Sequence, residues 1–216
     1  MPPTVLNPAK TAAPRVVLPN VSWDTYERLL TDLSDCSVPH LTYDQGRLEI
    51  MGPTAKHEKV NRNIERLVTI TTLEMNVEVG SLGSTTFKRE DIARGFEPDS
   101  CFYVQNELAI RGKPELDLLV DPPPDIVFEV DITSSSINKH ALFAQFAVPE
   151  VWCYDDENLE ILNLVNGAYV KSERSSVLPF LTAKVLTDFI AESLTLSGLE
   201  WMKKVLDWAQ QQKAAE

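Results

Sequence analysis

A chain of 216 residues, 44% hydrophobic and 24% charged, is long enough to bury a substantial core and has the composition of one ordinary globular domain. Its formal net charge of −12 argues against a protein that coats nucleic acid non-specifically, because phosphate binding relies on clustered Lys and Arg. A carboxylate-rich site that first takes up a cation, and then presents that charge to a phosphate, stays open.

Residues 1–19 read as a flexible lead-in, rich in Pro and Ala and without the apolar segment of a signal peptide, although Arg15 to Leu18 has the makings of a short strand. No window holds eighteen consecutive apolar residues, so no transmembrane helix and no membrane partner is expected. Cys36, Cys101 and Cys153 form no CxxC pair and no metal-finger spacing; an odd, sparse set fits free thiols in a reducing compartment, and the cytoplasm is the expected location.

Ser22 is a good N-cap, and Trp23, Tyr26, Leu29, Leu30 and Leu33 follow at helical spacing. His40 to Tyr43 and Arg47 to Met51 flank Asp44-Gln45-Gly46 as a hairpin. A long helix runs from about Thr54 to Met75, with Val60, Ile64, Leu67, Val68 and Leu73 marking its buried face. Val77 to Val79, Ser84 to Lys88 and Cys101 to Val104 are candidate strands, the last entered from Glu97-Pro98-Asp99. A polar stretch from Gln105 to Pro124 has room for a short helix near Glu107. Asp125 to Ile132 is the clearest strand, and its Ile126-Val127-Phe128 run suits a position covered on both faces. A helix from about Ile137 to Ala147, a strand Val151 to Tyr154, a hairpin around Asn166-Gly167 and two helices near Ala183 to Glu192 and Leu196 to Gln212 complete the chain. The order describes an α/β (α+β) architecture, one mixed sheet flanked by helices, with C-terminal helices added. The domain proper covers residues 20–195, and residues 196–216 form a C-terminal helix.

The chemistry concentrates where charge enters an apolar strand. In Asp125-Ile126-Val127-Phe128-Glu129-Val130-Asp131, Glu129 and Asp131 share one face by the alternation of a strand. A buried carboxylate costs several kcal/mol unless paired or bound to a cation, and two on one face also repel. A divalent cation answers both problems, and magnesium, which accepts one or two carboxylates plus water and phosphate oxygens, is the natural choice. Asp99, opening another strand, can join the pair if the two strands are neighbours. The commonplace reading stands beside this one: an Asp at a strand end is usually a solvated cap or a salt-bridge partner. His57 and His140, taken singly, are more often surface or packing residues than ligands. Ser134-Ser135-Ser136 is a turn and helix cap rather than a nucleophile, with no His or Asp at an informative spacing.

Glu97-Pro98-Asp99 followed by Pro124-Asp125-Ile126-Val127-Phe128-Glu129-Val130 resembles the PD…(D/E) core of the PD-(D/E)XK nuclease superfamily. Lys139-His140-Ala141-Leu142-Phe143-Ala144, then Val148-Pro149-Glu150-Val151-Trp152, is similar to the "K…LYA…GVPEYW" signature of the Uma-type restriction-endonuclease family, and His57-Glu58 resembles that family's early His-containing helix. The similarity spans roughly residues 20–195.

The resemblance implies a restriction-endonuclease-like fold and magnesium-dependent hydrolysis of DNA, with manganese as a substitute. Asp99 and Glu129 would hold the metal, with the Val130 carbonyl as a further ligand. Lys139 would orient the attacking water and stabilise the transition state. Glu58 would act as an outer ligand, and Asp131 and His57 are additional candidates. Asp131 stands where the superfamily often has Lys, so Lys139 replaces it from the following helix. Ala147 stands where the family usually has Gly, which requires a turn that tolerates a Cβ. Cutting two DNA strands favours a twofold homodimer. The competing class is a catalytically inactive interaction scaffold that keeps the nuclease fold, and the acidic composition favours it.

Overall fold

The computed structural model describes residues 14–34, 39–130 and 135–215. Among them are eleven strands, six α-helices and one 3-10 turn, distributed over two sheets rather than the one sheet expected from sequence.

The smaller sheet has the order β1-β3-β2-β6-β5, built from β1 (Arg15–Leu18), β2 (His40–Asp44), β3 (Arg47–Met51), β5 (Phe87–Arg89) and β6 (Arg94–Phe96). All its pairings are antiparallel. The β2–β3 turn places Gln45 and Gly46 at positive φ, which is why a Gly closes it. Helix α1 (Trp23–Asp32) is capped by the Ser22 hydroxyl, which accepts from the Thr25 N–H. Its Tyr26 ring stacks on Tyr43 at 4.8 Å. Gly95 is required beneath it, because a Cβ there would collide with the Tyr26 hydroxyl.

The larger sheet has the order β11-β10-β9-β8-β7-β4. It comprises β4 (Gly80–Ser81), β7 (Ser100–Tyr103), β8 (Ile126–Val130), β9 (Glu150–Tyr154), β10 (Leu159–Val165) and β11 (Ala168–Ser172). Only β8 and β9 are parallel, joined through α4 (Lys139–Gln145); the other pairings are antiparallel. All five residues of β8 are buried, as a strand covered on both faces demands. Its alternation sorts the core. Ile126, Phe128 and Val130 face the layer made by α2 (Ala55–Glu74), α5 (Ala183–Ser193) and α6 (Gly198–Ala215). Val127 packs on the opposite side with Phe87 and Phe96 of the smaller sheet and Leu142 and Phe143 of α4. Glu129, two residues on from Val127, shares that second face.

Three local expectations need correction. Val77 to Val79 is not a strand; pairing begins at Gly80, where the chain meets β7. The Ser84 to Lys88 strand is shorter and later, at Phe87–Arg89. The strand Arg94–Phe96 was not anticipated, because a Gly between Arg and Phe carries no strand signal, yet it pairs with both β2 and β5. Short α3 (Glu107–Ile110) lies where a helix was expected. The N-cap of α4 is Asn138, whose side chain accepts from the Ala141 N–H, rather than a serine of the preceding run. Trp201, Val205 and Ala209 of α6 are buried, the first two in the same core layer as α2. No helix among the described residues is long and apolar enough to cross a membrane.

Candidate active site

Asp99 and Glu129 meet because β7 and β8 are neighbours. The register pairs Ser100 with Phe128, and one further step sets Asp99 opposite Glu129. The Asp99 carboxylate is 1% exposed and accepts a 2.7 Å hydrogen bond from the Val130 N–H through Oδ2, so Val130 also belongs to the cluster through its backbone. The first turn of α2 adds His57, whose Nε2 lies 3.0 Å from the same Asp99 oxygen. That turn is fixed by Thr54, whose hydroxyl accepts from the His57 N–H. One turn later Asn61 donates from Nδ2 to the Asp99 carbonyl at 2.7 Å. From the smaller sheet, His40 brings Nδ1 to 3.4 Å from Asp99 Oδ1.

Lys139, the first residue of α4, extends into the same interior. Its Nζ lies 2.6 Å from Glu129 Oε2, and both side chains are buried. A helical side chain leans toward the N-terminal end of its helix, which is the direction of the strand it follows. The expectation that Lys139 reaches the strand carboxylate therefore agrees with its position. Glu58 faces outward, half-exposed, with Oε2 3.6 Å from Arg62 Nε, so α2 contributes His57 rather than Glu58 to the buried cluster. Asp131 lies outside the described residues.

The electrostatics are strongly polarised. Burial opposes the charged form of Asp99, but the His40 and His57 imidazoles and the Lys139 ammonium overcome it and hold its carboxyl well below the usual range. Burial pushes Glu129 the other way, up to about 7; the nearby Asp99 adds to this and Lys139 opposes it. Burial disfavours the His57 cation, yet Asp99 and Glu129 raise its pKa above the ordinary value. Lys139 is also raised, with Glu129 and Asp99 outweighing its burial.

Among the described residues, several polar atoms here are buried without a hydrogen bond, though Asp99 lies within ion-pair distance of both imidazoles: Asp99 Oδ1, Glu129 Oε1, His40 Nδ1, both His57 ring nitrogens and Asn61 Oδ1. Buried polar atoms are normally satisfied, and leaving one bare costs about 1–3 kcal/mol. Two of these six are carboxylate oxygens that belong to the pair expected to hold a metal, so the donor chemistry fits a hard divalent cation. Among the described residues no three His, Cys, Asp or Glu side chains are already gathered as a cation cage; Asp99 is turned to Val130 and His57, and Glu129 to Lys139.

A further carboxylate escaped the sequence reading. Glu49 of β3 is 1% exposed, and it accepts from Arg15 Nη1 at 2.7 Å, the Ser135 hydroxyl, the Ser136 hydroxyl and the Ser136 N–H. It thereby pins the chain just before α4 to the smaller sheet. Ser135 and Ser136 are anchors of this segment, and Ser135 also accepts from the Ile137 N–H. The signal for Glu49 was a charge between Leu48 and Ile50 in a strand, the same signal that pointed to Glu129. Glu150 of β9 is held in a parallel manner, accepting from Trp152 Nε1, the Ser175 and Ser176 hydroxyls and the Ser176 N–H. With every one of these donors accounted for, it acts as a structural staple.

One solved structure, described as a "putative nuclease belonging to DUF820" from Anabaena variabilis, aligns with 88% of this chain and 99% of its own at 13% identity and a TM-score of 0.48, a likeness too slight to carry argument. No curated protein matches the chain. The model of the Uma2 family, described as "Putative restriction endonuclease", matches residues 23–197, most of the chain and all of the buried cluster, and the chain belongs to that family.

Proposed function

We propose that the chain is a magnesium-dependent endonuclease that hydrolyses phosphodiester bonds of DNA, with manganese able to serve in place of magnesium. The observation that carries the reading is the convergence of Asp99, Glu129 and Lys139 in one buried cluster, with one oxygen of each carboxylate lacking a hydrogen bond among the described residues. A structural ion pair needs one acid and one base. A second carboxylate beside it, with two imidazoles, is costly to bury unless a cation or substrate completes the site.

Asp99 and Glu129 would hold the metal, with Val130 close by through its backbone. A divalent cation in that position supplies Lewis acidity at a phosphate oxygen and offsets the charge of the two carboxylates. Lys139 directs a fixed positive charge at the same point, suited to stabilising the developing charge of a pentacovalent phosphorus and to orienting the water that attacks it. His57 and His40 hold Asp99 in its ionised form. A twofold dimer would present two such sites to the two strands of a duplex. A reducing cytoplasm suits the free, buried Cys101 and Cys153.

An inactive scaffold is the second reading. It is favoured by the burial of Asp99 and Glu129 and by their partners already in place. Isothermal titration of magnesium and of manganese into wild type and Glu129→Gln, paired with single-turnover cleavage of supercoiled plasmid, separates the two. Metal uptake abolished by the substitution, together with metal-dependent nicking, supports the nuclease. Wild-type protein that takes up neither metal and leaves the plasmid intact is the scaffold.

A further inference from the structure

The solvent face of α2 carries Lys56, Lys59, Arg62 and Arg66. Spacings of three, three and four residues place all four on one side of a helix, and all four are exposed. In a chain of net charge −12 this is a local reversal of sign. The stripe begins at the turn whose His57 lies 3.0 Å from Asp99, and it runs away from the buried cluster along the helix. Ten residues of helix at about 1.5 Å each span about 15 Å, the rise of roughly four nucleotide steps along one strand.

Surface lysines and arginines are usually matched to carboxylates, and two of these are: Lys56 to Asp156 at 3.0 Å, and Arg62 to Glu58 and Glu65. Those pairs are half-exposed and weak enough for a phosphate to replace. Lys59 and Arg66 differ. Among the described residues, Lys59 donates only to the Leu194 carbonyl and Arg66 only to Asn63 Oδ1, and neither has a carboxylate within ion-pair distance. Both leave formal charge uncompensated on the exposed face of α2.

From this geometry we infer that the exposed face of α2 is the surface that tracks the phosphate backbone of the nucleic acid and leads it to the Asp99–Glu129 cluster. The inference rests on the proposed action on DNA. It also accounts for how so acidic a chain approaches a polyanion: the contact is confined to a stripe. Lys59 and Arg66 are the strongest contacts, since no carboxylate competes for them.

The test is fluorescence anisotropy of a labelled random-sequence duplex titrated with the full chain in EDTA, across a salt series. Lys59→Gln/Arg66→Gln is compared with Lys171→Gln/Lys184→Gln, which removes the same charge from β11 and α5. Each phosphate contact contributes about 0.9 to the slope of log affinity against log salt, so the α2 pair should flatten the slope by about 1.8 and weaken binding at least tenfold at low salt. The control pair should change neither beyond twofold. Equal losses in both pairs would mean a mere net-charge effect and overturn the inference, as would binding unchanged in the α2 pair. Wild-type protein that does not bind duplex at low salt overturns the DNA reading itself, which separates the two failures.

Discussion

Lys139 reaches back from the first turn of α4 to bring its ammonium to 2.6 Å from Glu129 Oε2, and neither side chain is accessible to bulk water. The pair is asymmetric in its demands. Lys139 needs a negative partner to remain charged in the interior, whereas Glu129 has Asp99 pressing on it from the other side. That imbalance is what a divalent cation would relieve.

Added magnesium is therefore expected to raise the melting temperature of the wild-type protein. A ligand that binds only the folded state at a hundred times its Kd stabilises by about 2.7 kcal/mol, or roughly 5–10 °C for a chain of this size. Glu129→Gln should lose most of that gain, because the amide removes one anionic oxygen from the set. Differential scanning fluorimetry with and without metal reads both. An undiminished shift in the variant would place the metal elsewhere.

Glu49 gives an acid-sensitive contribution to stability. Burial by itself would raise its carboxyl, but the Ser136 N–H, the Ser136 and Ser135 hydroxyls and Arg15 together hold it below its ordinary value of 4.5. A depressed carboxyl stabilises the fold fully above the unfolded-state value and loses that stabilisation as pH falls through the folded-state value. Glu49→Gln should thus cost about 1–3 kcal/mol near pH 7, since the amide cannot serve all four donors. The gap to wild type should narrow below about pH 4.5. Urea melts at pH 7 and pH 4 check this, and a gap that is the same at both would deny Glu49 the role.

The parts of the site that lie on one continuous segment were legible. Glu129 and Lys139 stand ten residues apart, and a charge in an apolar strand followed by a helix with Lys at its start is a local pattern. Asp99 was legible as a candidate, but its meeting with Glu129 needed the β7–β8 pairing, which no local pattern encodes. His40 was illegible as a site residue for the same reason; Glu49 carried a local signal, but its partners did not. Glu49 finds its serine partners 86 and 87 positions further along the chain, by way of the smaller sheet. The division into two sheets was hidden because strands declare their own periodicity and not their neighbours. Glu58 drew attention by adjacency to His57, yet successive residues of a helix point 100° apart, and the one turned inward was the histidine.

Ala147 sits in the left-handed region at φ 56, in the turn between α4 and β9. A Cβ in that region costs about 1 kcal/mol, which Gly avoids. Part of the gain is offset because Gly also loosens the unfolded chain. Ala147→Gly should therefore stabilise by up to about 1 kcal/mol in chemical denaturation, with metal binding unchanged. A loss of stability would show that the Cβ makes a packing contribution larger than the strain.

Lys139→Met separates charge from bulk at the centre of the site. Methionine keeps most of the buried stem and removes the ammonium. Glu129 then has no positive partner, and breaking a buried pair by deleting one member typically costs 3–5 kcal/mol unless the survivor takes up a proton. The variant is accordingly expected to melt lower than wild type in EDTA, and a fold-neutral substitution, suited to a lysine on the surface, is not expected. Magnesium should stabilise this variant more than it stabilises wild type, since the cation replaces the lost positive charge beside Glu129 and no longer competes with the ammonium. Cleavage should move in the opposite direction. Losing one preorganised contact to the developing charge typically raises the barrier by about 3 kcal/mol, roughly a hundredfold in rate. Fluorimetry across a magnesium series and single-turnover cleavage at saturating metal, run on the same preparation, test both halves. A larger metal-induced shift with a hundredfold slower cut assigns Lys139 a role in the reaction beyond its pairing with Glu129. Cleavage at the wild-type rate would remove Lys139 from the mechanism and leave it as the counter-ion of Glu129 alone.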